Sequence, residues 1–182
     1  MYRSRQQKFV RYAFTMIELI VVMLILAIAA AVVVPMASSA GSMQLRAAGN
    51  MVAADLEYAK SMAISRGVSY AVVFNAATET YQIEDLSKPL GDPQRVIDHP
   101  VKKGFKYVVD FRRDGRLDRV DIASANFDGT SGVAFNYLGS PSTFNGSSSN
   151  PLLNNGVVTL QASSATRMVR VEPVTGYITV SD

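Results

Sequence analysis

The feature that most limits how this chain can fold is a run of twenty-one residues, 14–34, with one charged side chain, Glu18. Built as a helix, the run is roughly 30 Å long, about the thickness of the hydrocarbon core of a bilayer. Four basic residues and no acidic one precede it, and the next Lys or Arg is Arg46. Because basic flanks stay on the cytoplasmic side, we predict one membrane-spanning helix, with the residues after Val34 outside the cytoplasm.

Two simpler interpretations of this run stay open on the pattern alone. One is a plain membrane anchor. The other is a cleaved secretory signal, with an apolar stretch at 19–34, Pro35 as a helix breaker, and Ser38 and Ala40 as small residues before the cut. Cleavage there would release a secreted, soluble, ligand-binding β protein that begins at Gly41.

Glu18 distinguishes this run from an ordinary anchor. A carboxylate inside a spanning helix costs about 2.5–3.5 kcal/mol at the bilayer centre, and less near the interface. Such a residue needs a cationic partner, and no Lys, Arg or His lies within residues 14–34. We therefore assign Glu18 a functional role that depends on a positive charge from outside the run.

The composition argues against an enzyme. The chain has no cysteine and a single histidine, His99, which precedes a proline and is expected in a surface turn. It also has no Gly-x-Ser-x-Gly, no phosphate-binding glycine loop and no metal-spaced histidines. We therefore expect no catalytic residues, no cofactor and no small-molecule substrate.

The positive net charge of +3 belongs to the N-terminal tip. Four of the 18 basic residues lie in residues 1–13, so the remainder of the chain has 14 basic and 15 acidic side chains, a net charge of −1. A body without net positive charge does not favour nucleic acid as a partner.

A helical pattern continues beyond the apolar run. Spacings of three and four place apolar residues on one face, namely Leu45, Ala48, Val52, Leu56, Ala59 and Ala63. The opposite face is predicted to carry Gln44, Arg46, Asn50, Asp55, Glu57 and Lys60. Arg66 followed by Gly67 is typical of a helix end. We predict one long helix from about Met16 to Arg66, kinked or loosened around Pro35 and Gly41.

After Gly67 the apolar period changes from 3.6 to 2, which indicates β structure. We predict a hairpin of strands 68–74 and 80–84, and further strands at 96–101, 105–112, 116–123, 133–138, 157–162, 168–171 and 177–180. Residues 139–156 are rich in Ser, Asn, Pro and Gly and are expected to form a mobile surface loop. The predicted fold class is α+β. Its organisation is a basic leader at 1–13, a helix at 14–66 with 14–34 in the membrane, and a β domain at 67–182.

The segment 110–121 has acidic residues at the spacing of a calcium-binding loop. Positions 1, 5, 9 and 12 of an EF-hand-like loop are Asp110, Asp114, Asp118 and Asp121. Arg112 stands at position 3, where an oxygen ligand is needed, and the flanks are strand-like. We therefore regard these aspartates as a weak candidate and expect no metal ion.

A β-hairpin that turns at Asp114 and Gly115 fits the same segment better. The register that pairs apolar residues places Val109 opposite Val120, Tyr107 opposite Ile122 and Asp110 opposite Arg119.

The sequence Ala13-Phe14-Thr15-Met16-Ile17-Glu18 resembles the type IV prepilin signature, in which a basic leader and a small residue precede Phe-Thr-x-x-Glu and an apolar helix. The family usually has glycine where Ala13 stands. The resemblance implies that a prepilin peptidase cleaves between Ala13 and Phe14 and that Phe14 is then N-methylated. It also implies that Glu18 meets the terminal amine of a neighbouring subunit, and that the helix can melt at Pro35 on assembly.

Three further segments, 55–68, 133–141 and 169–180, resemble the GspH/FimT family of pilin-like proteins. This resemblance implies a pilin-like fold, with the long N-terminal helix packed on an antiparallel β domain. We predict a minor pseudopilin, a structural subunit at the tip of a type II secretion pseudopilus. The alternative is a minor pilin that primes type IV pilus assembly.

The resemblance also implies partners and a location. Other pilins bind through the N-terminal helix, the chain is anchored in the inner membrane with its N-terminus in the cytoplasm, and the β domain is periplasmic until it joins the filament. DNA-binding members of the family carry Gly-Arg-x-Arg in the C-terminal hairpin. The matching residues here, Gly176, Tyr177, Ile178 and Thr179, lack both arginines, which argues against DNA as a partner.

Overall fold

The computed structural model describes residues 14–146, 149–151, 154 and 156–182, with the backbone alone at 32–40 and 149. The predicted leader at 1–13, including Ala13, lies outside the described residues. The chain divides into two compact units, and the division falls between Ser39 and Ala40.

A single helix, α1 (Met16–Arg66), has the predicted bounds. Thr15 caps its start, since its Oγ1 accepts a hydrogen bond from the Glu18 amide at 3.3 Å. At its end, Gly67 adopts a left-handed φ of 68° and its amide donates to the Ala63 carbonyl. The helix continues through Pro35 and Gly41, and their predicted flexibility stays a prediction. In the described part of the chain, no helix is long and apolar enough to cross a membrane.

Ten strands in the described residues form two antiparallel sheets. The first sheet has the order β3-β2-β1-β5-β6-β7, from β1 (Tyr70–Asn75), β2 (Thr80–Asp85), β3 (Val108–Asp110), β5 (Gly132–Phe135), β6 (Pro141–Phe144) and β7 (Ser149–Pro151). The second has the order β10-β9-β8-β4, from β4 (Asp121–Asn126), β8 (Gly156–Ala162), β9 (Ala165–Val171) and β10 (Ile178–Ser181). The predicted α+β class is confirmed.

The core of the second unit forms around the apolar face of α1. All six residues predicted for that face are at most 4% exposed. They share one cluster with side chains of both sheets, including Val72, Ile83, Leu160 and Val169. The predicted hairpin of the first two strands is confirmed, with Asn75 paired to Thr80 at the turn.

The predicted hairpin at 107–122 is wrong. β3 pairs with β2, so that Asp110 lies opposite Thr80, whereas β4 pairs with β8 in the other sheet. The residues between them form successive turns, and Phe111, Leu117 and Val120 are buried in the core. Burial of these three side chains stabilises a connection between the sheets, which a two-residue hairpin turn could not provide.

Two other strand predictions need correction. The segment 139–156, expected to be a loop, contains β6 and β7, and Phe144 packs with Ala71 and Ala134 on the face of the sheet away from α1. The predicted strand at 96–101 is reduced to isolated bridges at Val96 and Asp98. Composition misled at 139–156 because Pro141 is the first residue of β6 and β7 is a short edge strand, and such positions tolerate the Pro, Ser and Asn that also mark loops.

Candidate assembly surfaces

The N-terminal part of α1 exposes its apolar side chains. Between residues 14 and 28, twelve large apolar side chains are 45–80% exposed: Phe14, Met16, Ile17, Leu19, Ile20, Val21, Val22, Met23, Leu24, Ile25, Leu26 and Ile28. A continuous apolar surface of this extent indicates contact with a membrane or with other chains.

Glu18 lies within this apolar surface, in the first turn of α1. An acidic side chain at this position interacts favourably with the positive end of the helix dipole. Phe14, which would carry the terminal amine after cleavage, lies directly before the helix and is exposed. Cleavage after Ala13 and the pairing of Glu18 with an amine stay predictions.

Asp55 is the residue of α1 that departs most from its predicted environment. It was expected on the polar face but is 8% exposed. Its Oδ2 accepts a hydrogen bond from the Tyr81 hydroxyl at 2.5 Å and its Oδ1 accepts one from the Tyr107 hydroxyl at 2.7 Å. The cluster of Asp55, Tyr81 and Tyr107 therefore joins α1 to β2 and to the segment before β3.

Burial raises the pKa of each member of this cluster. Desolvation raises the pKa of Asp55, while the hydrogen bonds from Tyr81 and Tyr107 act in the opposite direction. Burial and the neighbouring Asp55 raise the pKa of both tyrosines, so each remains a donor at neutral pH. Val52, Asp55 and Ala59 are separated by three and four residues, the spacing of one helix face, and this signal could have revealed the buried position.

His99 is packed against the same cluster. Its ring stacks on Tyr107 with centroids 4.7 Å apart, and Tyr58 stacks on Tyr107 at 5.7 Å. The Nδ1 atom of His99 accepts hydrogen bonds from the amides of Val101 and Lys102, both at 3.1 Å. His99 therefore fixes the loop that follows it, and it is half-buried where a surface position was expected.

The pH dependence of stability should reveal the raised pKa of Asp55. Because the folded state holds the Asp55 proton more tightly than the unfolded state does, its contribution to the free energy of unfolding rises as the pH falls. The change occurs between the raised folded pKa and the ordinary value of 3.8. We expect the wild-type chain to gain stability relative to Asp55→Asn as the pH is lowered from neutral towards that value. Urea unfolding of both chains across this range measures the free energy of unfolding of the wild type minus that of Asp55→Asn. A value that stays constant or decreases as the pH falls would contradict the raised pKa of Asp55.

Three of the four aspartates considered for calcium, Asp110, Asp114 and Asp118, accept hydrogen bonds from other groups. Asp110 Oδ1 accepts the amides of Arg112 and Arg113, and Asp118 accepts a hydrogen bond from Gln44. Asp114 is bound by Arg116, whose hydrogen bonds lower the pKa of Asp114 to about 2. Within the described residues no group of three or more His, Cys, Asp or Glu side chains could hold a metal ion.

A second exposed apolar surface lies at the C-terminal end of α1. It consists of Ile64, Tyr137, Leu138, Val174 and Tyr177. The turns that carry these residues touch the helix, since a Cβ at Gly139 would lie 3.0 Å from Ile64 Cδ1 and Lys60 Nζ donates to the Gly176 carbonyl at 3.0 Å. The sequence pattern did not indicate this surface, because it joins three segments that are distant along the chain.

Val174 is held at the tip of this surface by strained backbone. Its φ is 65°, and the Thr175 amide donates to the Pro173 carbonyl at 2.7 Å around it. A β-branched residue rarely adopts this conformation, which costs about 1–3 kcal/mol and is common at functional positions. The apolar side chain of Val174 is nevertheless 77% exposed, so the turn holds it at the surface of the described unit.

Two protein-family models match the chain, one at its N-terminal apolar run and one over most of the remainder. Residues 10–34 match the model of the prokaryotic N-terminal methylation motif, and residues 48–175 match the model of the family described as type II transport protein GspH. No curated protein matches the chain.

Two solved structures share the fold. The minor pseudopilin EpsH from the type 2 secretion system of Vibrio cholerae has a TM-score of 0.50 at 8% identity, over 76% of this chain and 96% of that one. The type IV minor pilin FimU of Pseudomonas aeruginosa has a TM-score of 0.50 at 14% identity, over 78% of this chain and 90% of that one. With the family model covering well over half of its length, the chain belongs to the GspH family of type II transport proteins and has their pilin-like fold.

Proposed function

We propose that this chain is a minor pseudopilin, a non-catalytic structural subunit at the tip of a type II secretion pseudopilus that supports protein export. The observation that carries this function is the GspH match over residues 48–175 together with the methylation motif over residues 10–34. The EpsH and FimU folds are equally similar to this one. The assignment to type II secretion therefore rests on the family model.

In this function residues 14–34 hold the chain in the inner membrane before assembly. The leader, residues 1–13, stays in the cytoplasm and the β domain, residues 67–182, lies in the periplasm. The support is the apolar composition of the run, the basic residues before it and the exposure of its described side chains.

A prepilin peptidase removes the leader between Ala13 and Phe14, and Phe14 is then N-methylated. The match to the methylation motif supports this step. The cut creates a positive amine two residues before α1 begins at Met16. A positive charge at this end of a helix is opposed by the helix dipole, and the carboxylate of Glu18 in the first turn offsets that repulsion.

During assembly the apolar part of α1 exchanges lipid for the helices of neighbouring subunits. Glu18 pairs with the terminal amine of an adjacent subunit, and this pairing sets the axial register. The exposed apolar side chains around Glu18 support the proposal, because two opposite charges attract strongly where water is excluded, while either one alone is costly. Pro35, which lacks an amide donor, lets the helix loosen as the subunit enters the filament.

Intact-mass and N-terminal analysis of the protein purified from membranes tests the processing step. We expect a chain that begins with methylated Phe14 when prepilin peptidase is present and with Met1 when it is absent. The variant Ala13→Leu should keep the leader, because the larger side chain replaces the small residue before the cut, whereas Ala13→Gly should be processed. A mature chain that begins at Gly41 would instead identify a secreted soluble protein.

Deletion of the gene distinguishes the two filament machines. Loss of secreted protein with normal pili is expected for the pseudopilin, and loss of pili with normal secretion would indicate the pilus-priming alternative. The neighbouring genes provide an independent indication of the same choice.

A further inference from the structure

One surface of the second unit combines basic and exposed apolar side chains. We call it the basic–apolar surface, and it is formed by Val101, Lys102, Phe105, Lys106, Arg113 and Arg116, which line an open groove of about 910 Å³. Val101 and Phe105 are 82% and 68% exposed. Neither filament assembly through the N-terminal helix nor the processing step uses these residues.

Two short loops are fixed side by side to make this surface. His99 holds the first loop through the amides of Val101 and Lys102. Asp110 holds the second through the amides of Arg112 and Arg113. Lys102 is close enough to the second loop for its charge to act on Asp114, so the cations of both loops face the same groove.

Three cations of this surface, Lys102, Arg113 and Arg116, remain available to a ligand, while Lys106 pairs with Asp98 at 2.9 Å. Arg113 contacts Asp110 at 3.3 Å and Arg116 contacts Asp114 at 2.7 Å, yet their side chains are 89% and 78% exposed. A guanidinium has five N–H donors, so each arginine keeps donors for a phosphate after these ion pairs form. Lys102 and the neighbouring Lys103 are exposed as well.

The surface lies beside the part of α1 that follows the apolar run. Met51 and Asp55 of α1 line the same groove, and Gln44 holds the segment that follows Arg116, since its Nε2 donates to Asp118 Oδ1 and its Oε1 accepts the Arg119 amide, both at 3.1 Å. Ten residues separate Gln44 from Val34, the last residue of the apolar run.

We propose that the basic–apolar surface docks onto the membrane and binds the phosphates of anionic phospholipid headgroups. Lys102, Arg113 and Arg116 contact the headgroups, while Val101 and Phe105 enter the interfacial layer. Basic residues beside exposed apolar ones are the combination by which proteins lie on anionic membranes. Nucleic acid would use the same cations, but the aliphatic Val101 favours lipid. The proposal rests on the proposed anchoring of residues 14–34.

A tryptophan placed at Phe105 tests the docking, because the chain contains no tryptophan of its own. The full-length Phe105→Trp variant is reconstituted in vesicles of phosphatidylcholine with phosphatidylglycerol, and in phosphatidylcholine alone. We expect a blue shift of the emission and quenching by brominated acyl chains in the anionic vesicles, both reduced by high salt. The matched control is Leu90→Trp, at an exposed apolar residue outside this surface, which should keep the emission of a water-exposed indole.

Two double variants distinguish an effect of the cations at this surface from an effect of the net charge of the chain. In the Phe105→Trp background, Lys102→Gln with Lys103→Gln should abolish most of the blue shift, whereas Arg66→Gln with Lys88→Gln removes the same charge elsewhere and should preserve it. Circular dichroism confirms that all variants fold.

Carbonate extraction of the vesicles separates this proposal from the anchoring on which it rests. A chain that resists extraction while Phe105→Trp behaves like Leu90→Trp would overturn the docking and leave the anchoring intact. A chain that is extracted would overturn the anchoring and the docking together. A blue shift produced by duplex DNA and not by phosphatidylglycerol would identify a nucleic-acid surface and overturn the lipid assignment.

Discussion

Replacement of Glu18 by Gln is expected to reduce incorporation into the filament at least tenfold while the second unit keeps its fold. Glutamine preserves the size and the helical conformation of the side chain but removes its charge. The terminal amine of the neighbouring subunit would then enter a water-excluded environment unpaired, and loss of one partner of such a pair costs about 3–5 kcal/mol. Shearing and sedimentation of filaments, followed by immunodetection of the subunit, measures the loss.

The matched control for this experiment is Glu57→Gln, which removes the same charge from an exposed position on the second half of α1. We expect it to assemble normally. The Glu18→Gln chain should still be found in the membrane fraction. Its circular dichroism should be unchanged, because Glu18 does not belong to the core of the second unit. Normal incorporation of the Glu18→Gln chain would exclude a role for this carboxylate in assembly.

The sequence predicted a helix from about Met16 to Arg66, and α1 has these bounds because the signals that begin and end a helix are local. The Thr15 cap and the Arg66–Gly67 end both act within one turn. The buried face was equally predictable, since its spacing follows from the helical period alone. The same reasoning gave the first hairpin, whose strands are adjacent in sequence.

The path of residues 107–122 could not be predicted because its determinants are distant along the chain. Asp114 and Gly115 do indicate a turn, and one forms there. The partners of the flanking strands, however, are β2 on one side and β8 on the other. Local turn preference carries no information about which sheet each strand joins.

The residues of the candidate surfaces also fall into two groups, those that local sequence could predict and those that depend on distant contacts. Phe14 and Glu18 were predicted from the sequence because each violates a rule for an ordinary apolar helix or completes a short motif, and their roles stay predictions. Asp55 was assigned to the solvent because a carboxylate is rarely buried without a partner, and its partners lie 26 and 52 residues away on other elements. The basic–apolar surface was missed for a related reason, since the arginines at 112–119 were interpreted as parts of the two arms and the turn of a hairpin.

Replacement of Asp55 by Ala is expected to destabilise the second unit by about 3 kcal/mol. The change leaves the hydroxyls of Tyr81 and Tyr107 without an acceptor inside the protein, and each unpaired buried donor costs about 1–3 kcal/mol. For a domain of this size the loss corresponds to a melting temperature lower by about 10 °C. Thermal unfolding of the full chain in detergent, followed by the near-ultraviolet circular dichroism of its tyrosines, measures the shift.

Two comparisons attribute this loss to the hydrogen-bonded cluster and not to the helix. Glu57→Ala removes a carboxylate from an exposed position of the same helix and should change stability by no more than about 0.5 kcal/mol. Tyr81→Phe removes one donor, and in the double variant with Asp55→Ala its cost should largely disappear because its acceptor is already absent. Additive effects of Asp55→Ala and Tyr81→Phe would show that the two side chains stabilise the protein independently, against the 2.5 Å contact between them.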